Sequence, residues 1–102
     1  MVKRYFYLLL CIITLGVCSS YASPYTLTLY SSPNCPYCQK VIYYLQKEGK
    51  SIPIKNIQDK TNKAELIKIG GKSQIPCLII NGKPLYESSD IIKWLQTHKN
   101  NY

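Results

Sequence analysis

Two cysteines separated by two residues, Cys35 and Cys38, are the part of the sequence best suited to chemistry. Pro36 lies between them and is tolerated at the first position of a helix, where no backbone N–H is needed. A thiol at a helix start is surrounded by free backbone N–H groups and the positive end of the helix dipole, which favour its thiolate. The pattern predicts that Cys35 attacks a disulfide and that Cys38 resolves the mixed disulfide, leaving a Cys35–Cys38 disulfide.

The residues between the cysteines are expected to shape this turn rather than to transfer protons. Pro36 stiffens it, and Tyr37 places an aromatic edge beside the sulfur atoms. Zinc binding is an alternative, but it needs two more ligands, and the candidates Cys77 and His98 fall in a predicted strand and in the tail. A structural disulfide is a second alternative, although such a short loop adds little stability. We therefore predict no bound metal.

Three stretches predict a β-α-β unit that carries the cysteine pair. Residues 26–30 alternate polar and apolar side chains and stop at a Ser-Ser-Pro-Asn turn, which is typical of a first strand. A helix is expected from Pro36, because apolar residues recur at helical spacing until Gly49. Residues 52–57 alternate again, and Pro53 among them indicates a strand at the edge of the sheet.

A second helix and a hairpin are predicted next. Asn62 followed by Glu65 resembles a capping box, and the glycines at 70–71 provide a stop, so the second helix lies between these signals. The Asn-Gly dipeptide at 81–82 strongly favours a tight turn between two antiparallel strands within residues 77–86. The chain therefore changes from parallel to antiparallel connections at this point.

A final helix completes the pattern. Ser88 or Ser89 is expected to cap it, Trp94 to anchor it in the core or at the surface, and His98 to be a solvated residue near its end. The whole order is β-α-β-α-β-β-α. It predicts an α/β fold with a mixed four-stranded sheet flanked by three helices.

Residues 1–22 have the three parts of a secretory signal peptide. Lys3 and Arg4 give a positive start, an apolar run of about 13 residues follows, and small residues precede a predicted cleavage after Ala22. A membrane-spanning helix needs about 20 apolar residues, so no stable membrane insertion is expected after cleavage, with an uncleaved inner-membrane anchor as the alternative. We predict one domain, residues 23–102, that is exported to a periplasm or secreted.

Charge and cysteine content limit the functions open to residues 23–102. This segment has 11 lysines, no arginine and 5 acidic residues, so its net charge is +6 when His98 is neutral. A nucleic-acid reader is expected to use arginine for bidentate contacts to guanine and phosphate, so no nucleic-acid partner is predicted. Three cysteines cannot all pair within one chain, which argues against a pure disulfide scaffold. An exported location makes a redox role for the close pair natural.

Over residues 25–97 the sequence resembles a glutaredoxin. The resemblance rests on Cys-Pro-Tyr-Cys after the first strand, Ile75-Pro76 before the third, the Asn-Gly turn and a Ser-Ser-Asp start of the last helix. It implies a thioredoxin fold in which Pro76 follows a cis peptide bond and faces Cys35. It also implies a glutathione groove in which the Ile75 backbone pairs with the tripeptide like an added strand.

The start of the last helix is where further glutathione contacts are expected. The glutaredoxin resemblance implies that Ser89 and Asp90 hold the γ-glutamyl end of the ligand. Residues 85–88, which include Glu87 and Ser88, are similar to the glutathione-binding half of glutathione transferases, in which a Glu-Ser pair binds the same γ-glutamyl group. A purely structural role in helix capping is the alternative for these residues.

One contact implied by the resemblance has no counterpart. Glutaredoxins commonly have a lysine three residues before the first cysteine, where this chain has Ser32, and Lys72 is the candidate substitute for binding a glutathione carboxylate. Tyr37 is expected to contact glutathione from the active-site turn. Cys77 either approaches the site as a third redox thiol or packs as a small buried hydrophobe.

We therefore predict a monomeric, glutathione-linked thiol-disulfide oxidoreductase of the glutaredoxin kind. Glutathione is its expected co-substrate, and protein thiols and disulfides are its expected partners. Two alternatives stay open: a glutathione-binding, transferase-like module, and a non-enzymatic metal-binding protein that uses Cys35 and Cys38.

Overall fold

The computed structural model describes residues 24–102, and the predicted signal peptide at residues 1–22 lies outside the described residues. The order β-α-β-α-β-β-α is confirmed. Its elements are β1 (Leu27–Ser31), α1 (Pro36–Lys47), β2 (Ile54–Asn56), α2 (Lys60–Gly70), β3 (Cys77–Ile80), β4 (Lys83–Tyr86) and α3 (Ser88–Thr97). Within residues 24–102, no helix has the length and apolar character needed to span a membrane.

The four strands form one mixed sheet in the order β2-β1-β3-β4. β1 runs parallel to β2 and antiparallel to β3, which in turn pairs with β4 through the hairpin. β2 has only three residues and lies at the edge, and the carbonyl oxygen of Pro53 just before it accepts a hydrogen bond from Leu29 N at 2.9 Å. The edge position that this proline indicated is therefore confirmed.

Alternating side chains divide the core between the two faces of the sheet. Leu29 and Leu78 point to the face covered by α1 and α3, whereas Tyr30 and Cys77 point to the face covered by α2. Complete burial of a leucine or isoleucine contributes about 1.5–3 kcal/mol, so these contacts fix where each helix lies. The helix residues buried on the first face are Val41, Leu45, Ile91 and Leu95, and Leu66 is buried on the second.

The hairpin turn has the backbone that its sequence predicts. Asn81 and Gly82 have φ values of 50° and 83°, which are the two positive values of a type I′ turn. Asn81 also accepts a hydrogen bond from Thr26 N through Oδ1 at 2.8 Å. The turn is therefore tied to the residue before β1, which helps to align β3 with β1.

The start of α2 differs from the predicted capping box. The N-cap is Asp59, whose side chain accepts hydrogen bonds from Thr61 N at 2.8 Å and Asn62 N at 3.3 Å, so the helix begins before Asn62. Asn62 instead donates from its side chain to the carbonyl oxygen of Asn56 at 3.0 Å. The C-terminal stop is as predicted, because Gly71 takes a left-handed φ of 80°.

The start of α3 also differs from prediction, since neither serine caps it. The helix already includes Ser88, and the cap position belongs to Glu87, which has a φ of 70° and makes no side-chain capping bond. Pairing of Tyr86 with Cys77 keeps the chain in β4 up to Tyr86. The chain must then turn into a helix within one residue, and Glu87 supplies that turn.

His98 is not the solvated residue that was predicted. Its ring stacks on Trp94 with centroids 4.1 Å apart, and its Nδ1 lies 2.8 Å from the carbonyl oxygen of Trp94. Tyr25 meets the Trp94 ring edge-on at 5.0 Å. The end of α3 is therefore packed into an aromatic cluster.

Changing Asp59 to alanine tests the capping of α2. Loss of the carboxylate leaves two backbone N–H groups without their partner, so we expect the free energy of unfolding to fall by about 1 kcal/mol. Chemical denaturation monitored by circular dichroism measures this change. Asp59→Asn keeps an acceptor oxygen and serves as the control; an equal loss in that variant would contradict the capping role.

Candidate functional site

The turn between β1 and α1 places Cys35 at the helix start. Cys35 has an extended backbone (φ −108°, ψ 105°) and is the N-cap of α1, with Pro36 as the first helical residue. Its Sγ accepts a hydrogen bond from Cys38 N at 3.1 Å, and its own N–H donates to the carbonyl oxygen of Ser32 at 3.2 Å. A sulfur atom therefore occupies the position that a serine or aspartate oxygen takes in an ordinary cap.

The two cysteines form a disulfide but differ in exposure. Their Cα atoms are 5.2 Å apart. Cys35 is partly exposed, whereas Cys38 is 0% exposed because it shares the inner side of α1 with Val41 and Leu45. After reduction, only the first sulfur is open to a large molecule, and the second lies one helical turn behind it.

Pro76 lies beside this turn because of the sheet register. Tyr30 in β1 pairs with Cys77 in β3, so Ser31 and Pro76 are neighbours across the two strands. The peptide bond between Ile75 and Pro76 is cis, and Pro76 is buried. The arrangement implied by the glutaredoxin resemblance, a cis-proline next to the cysteine turn, is present.

A pocket of about 340 Å³ opens next to the cysteine turn. It is formed by three segments that are distant in sequence: the start of α1, the residues around the cis-proline, and the start of α3. Six of the predicted contact residues line it: Tyr37, Ile75, Pro76, Glu87, Ser88 and Ser89.

Two further residues of the pocket, Lys40 and Gln74, were missed by sequence reasoning. The Lys40 ammonium lies 5.1 Å from the centre of the Tyr37 ring, and Gln74 Nε2 donates to Glu87 Oε1 at 3.2 Å. The signal for Lys40 was its helical spacing of three residues from Tyr37. For Gln74 the only signal was its position two residues before Pro76.

The pocket presents both signs of charge. Lys40 brings an ammonium group, Glu87 brings a carboxylate, and the first N–H groups of α3 lie at Ser88 and Ser89. Free N–H groups at a helix start attract carboxylates, and a carboxylate attracts an ammonium group. The pocket is therefore suited to a zwitterionic ligand with at least one carboxylate.

Two predicted contact residues do not line this pocket. The Lys72 ammonium lies 4.3 Å from the centre of the Tyr86 ring. Asp90 lines a separate surface groove with Lys93 and Trp94. The structure brings neither residue to the pocket wall.

Cys77 faces away from the cysteine turn. Its side chain is 0% exposed and lies in the α2-side cluster with Tyr30, Leu66 and Ile79. Burial raises the pKa of its thiol, and this outweighs the opposing effect of a hydrogen bond with Tyr86. Cys77 therefore has the features of a small core residue rather than of a third redox thiol.

The possible zinc ligands also lie apart. Cys77 is in the core on one face of the sheet, while His98 stacks on Trp94 at the end of α3. In the part of the chain that the structure describes, no group of three or more His, Cys, Asp or Glu side chains is placed to hold a metal ion.

Sheet order, helix placement and a cysteine pair beside a cis-proline define a protein of the thioredoxin fold. A family model described as the glutathione S-transferase N-terminal domain matches residues 29–101, and the chain belongs to this family. The resemblance to glutaredoxins with a transferase-like segment is confirmed by this match and by the solved structures described next. No curated protein sequence matches the chain.

Solved structures of both transferases and glutaredoxins are similar to the chain. Glutathione transferase Omega 3C from Trametes versicolor has 22% identity and a TM-score of 0.66 over 84% of this chain and 39% of that one. Glutathione S-transferase 1-6 from Anopheles dirus species B has 29% identity and a TM-score of 0.58 over 72% and 35%. Glutaredoxin C1 from Populus tremula x tremuloides has 19% identity and a TM-score of 0.56 over 74% and 78%. The chain thus spans about two fifths of the Trametes transferase.

The burial of Cys77 can be tested by alkylation of the reduced, folded protein. Because its thiol is inaccessible and its pKa is raised, we expect the Cys77 peptide to react at neutral pH roughly a hundredfold more slowly than a free cysteine. Iodoacetamide labelling followed by peptide mass spectrometry gives the rate. The denatured protein is the control, in which Cys77 should react fully; rapid labelling in the native state would contradict its placement.

Proposed function

We propose that this protein is a glutathione-linked thiol-disulfide oxidoreductase in which Cys35 attacks and Cys38 resolves. The observation that carries the proposal is the asymmetry of the pair. One sulfur is partly exposed at a helix start and accepts a backbone N–H, while its disulfide partner is buried one turn on. A structural disulfide would gain nothing from an open first sulfur next to a polar pocket.

The oxidative half of the cycle transfers two electrons from the protein to the substrate. The Cys35 thiolate attacks one sulfur of the substrate disulfide, and the other substrate sulfur leaves as a thiolate that takes up a proton. Cys38 then loses its proton and attacks Cys35 Sγ in the mixed disulfide. The second substrate sulfur leaves, and the Cys35–Cys38 disulfide forms.

Two glutathione molecules return the protein to the dithiol form. The first attacks Cys35 Sγ as a thiolate, which releases Cys38 as a thiol and leaves glutathione bound to Cys35. The second attacks the glutathione sulfur of this mixed disulfide, forming glutathione disulfide and restoring the Cys35 thiolate. The helix dipole and the Cys38 N–H stabilise that thiolate as the leaving group.

Family membership and the charge of the pocket support glutathione as the co-substrate. Its γ-glutamyl end carries an ammonium and a carboxylate, which Glu87 and the first N–H groups of α3 complement. We assign the peptide-like middle of glutathione to the Ile75 backbone and its other carboxylate to Lys40. Lys72 and Asp90 lie outside the pocket wall, so they would affect glutathione binding only through longer-range charge interactions.

A glutathione-binding module without redox activity is the second candidate. The family match favours it, because the matched model is one domain of a transferase and the chain covers 39% and 35% of two transferases. In that case the parent protein would bind glutathione and reduce no disulfide. Reduction of a mixed disulfide by the parent protein therefore decides between the two functions.

We also propose that the mature protein is an exported monomer that begins at Ser23. The support for export and cleavage is the sequence of residues 1–22, with its positive start, its apolar run and the small residues Ser20 and Ala22. For protein recovered from the exported fraction, the intact mass shows whether the chain begins at Ser23, and sedimentation shows whether it is a monomer. A recovered chain that retains residue 1 would contradict cleavage.

Cysteine variants test the proposed roles. In glutathione-dependent reduction of a small mixed disulfide, we expect Cys35→Ser to reduce turnover to background, because the attacking sulfur is lost. Cys38→Ser should retain roughly a tenth or more of the parental rate, since glutathione can resolve the mixed disulfide itself. Cys77→Ala removes a thiol outside the site and is the control. Full activity of Cys35→Ser would refute the mechanism.

Changing Glu87 to glycine separates ligand binding from backbone strain. Glycine adopts a φ of 70° without steric cost, so we expect the stability to stay within about 1 kcal/mol of the parent or to rise. Loss of the carboxylate should weaken glutathione binding roughly tenfold. Calorimetry in a Cys35→Ser background measures binding without reaction.

The control for Glu87→Gly is Glu48→Gln, which removes an acidic charge just after the C-terminal end of α1, outside the pocket. That variant should bind glutathione as the parent does. Unchanged binding by Glu87→Gly would remove this carboxylate from the proposed site.

A further inference from the structure

One side of α1 forms an exposed surface of alternating tyrosines and lysines. Tyr37, Lys40, Tyr43 and Lys47 follow one another at spacings of three or four residues, which places them on the same side of the helix. We call these four residues the Tyr-Lys face. Tyr37 is 60% exposed and Tyr43 is 68% exposed. Single exposed aromatic residues are common, but two on one helix side beside a reactive cysteine form a continuous surface.

The Tyr-Lys face has a net positive charge that its own helix does not neutralise. α1 contains no acidic residue between Pro36 and Lys47. The first acidic residue, Glu48, follows the helix. Burial raises the pKa of Tyr44, and the nearby Glu48 carboxylate raises it further. Within residues 24–102, the ion pair seen in the structure joins Lys55 on β2 to Glu65 on α2 and does not involve the Tyr-Lys face.

The face is continuous with the proposed active site. Tyr37 and Lys40 line the pocket beside the cysteine turn, and Tyr43 and Lys47 extend the same side of the helix away from it. At a rise of 1.5 Å per residue, Tyr37 and Lys47 are about 15 Å apart along the axis, a distance that about five residues of extended chain span. A segment bound there would keep an attached cysteine close to Cys35.

We propose that the Tyr-Lys face binds an acidic polypeptide segment next to the disulfide of a protein substrate. This inference rests on the proposed oxidoreductase function and specifies its substrate class. The lysines complement acidic side chains, and tyrosine rings provide the large, rigid contact area that is typical of binding hot spots. The polypeptide is favoured over a lipid surface because the face lies on a single helix and begins two residues after Cys35, so a bound segment lies next to the sulfur atom that would attack.

Two peptide substrates test this inference. Each carries one cysteine in a mixed disulfide with glutathione, flanked in one peptide by Asp and Glu and in the other by Lys. We expect the parent to reduce the acidic peptide with a kcat/KM roughly tenfold higher than the basic one at about 10 mM salt. The preference should largely disappear at about 500 mM salt, where charges are screened within a few ångströms.

Variants on the outer half of the face locate the effect. Lys47→Glu should lower kcat/KM for the acidic peptide roughly fivefold and raise it for the basic peptide. Tyr43→Ser should lower kcat/KM for the acidic peptide roughly threefold while leaving its salt dependence unchanged. Lys83→Glu makes the same charge change on β4, away from α1, and should behave as the parent.

The outcomes separate this inference from the proposed function. A small neutral disulfide should be reduced equally by the parent and all three variants; failure of the parent on it would refute the oxidoreductase function itself. If that activity is present, equal rates on the two peptides overturn the docking inference. Equal effects of Lys47→Glu and Lys83→Glu also overturn it, because they show attraction by net charge alone. Lys47-dependent binding to anionic vesicles without a peptide preference would assign the face to lipid instead.

Discussion

The antiparallel pairing of β1 with β3 is the constraint on which the site depends. With Tyr30 opposite Cys77, the residue after β1 begins the cysteine turn and the residue before β3 is the cis-proline. A shift of one residue would turn Cys77 toward α1 and Pro76 toward α2, because side chains alternate between the faces of a sheet. Burial of Leu29 and Leu78 on one face and of Tyr30 on the other opposes such a shift.

Helix periodicity then places the two sides of α1 in different surroundings. The inner side holds Cys38 against the sheet with Val41 and Leu45, so its sulfur is buried away from solvent. The outer side presents Tyr43 and Lys47 to solvent. Cys35 belongs to neither side, since it precedes the first turn. Its exposure and its contact with a backbone N–H follow from that cap position.

Element order and the cysteine pair could be predicted from sequence because their signals are local. Strand alternation, the Asn-Gly turn and the Gly71 stop each depend on a few neighbouring residues. The starts of α2 and α3 were predicted wrongly because several residues compete for each N-cap position. In α2, Asp59 accepts two backbone hydrogen bonds and takes the position expected for Asn62. In α3, the pairing of β4 places Glu87 at the cap, before both serines. Such competition is decided by tertiary contacts rather than by propensity.

The pocket could be predicted only in part for a related reason. Its walls come from segments that are distant in sequence, so the local signals of Lys40 and Gln74 link each to its own neighbour, Tyr37 or Pro76, but not to the opposite wall. Lys72 was predicted as a substitute for the lysine that Ser32 replaces, and Asp90 was predicted from the glutaredoxin resemblance. Each lies instead on a neighbouring surface, Lys72 against Tyr86 and Asp90 beside Lys93.

Glu87 links the core to this pocket. Ile91 and Leu95 are completely buried, so α3 cannot shift to relieve the left-handed backbone at its start. A non-glycine residue in that conformation costs about 1–3 kcal/mol, which the surrounding packing must offset. The same conformation lets the Glu87 carboxylate meet Gln74 and leaves the first N–H groups of α3 without a side-chain cap. Free N–H donors beside a fixed carboxylate complement a zwitterion, so packing of the core supports the backbone strain that gives the pocket this polarity.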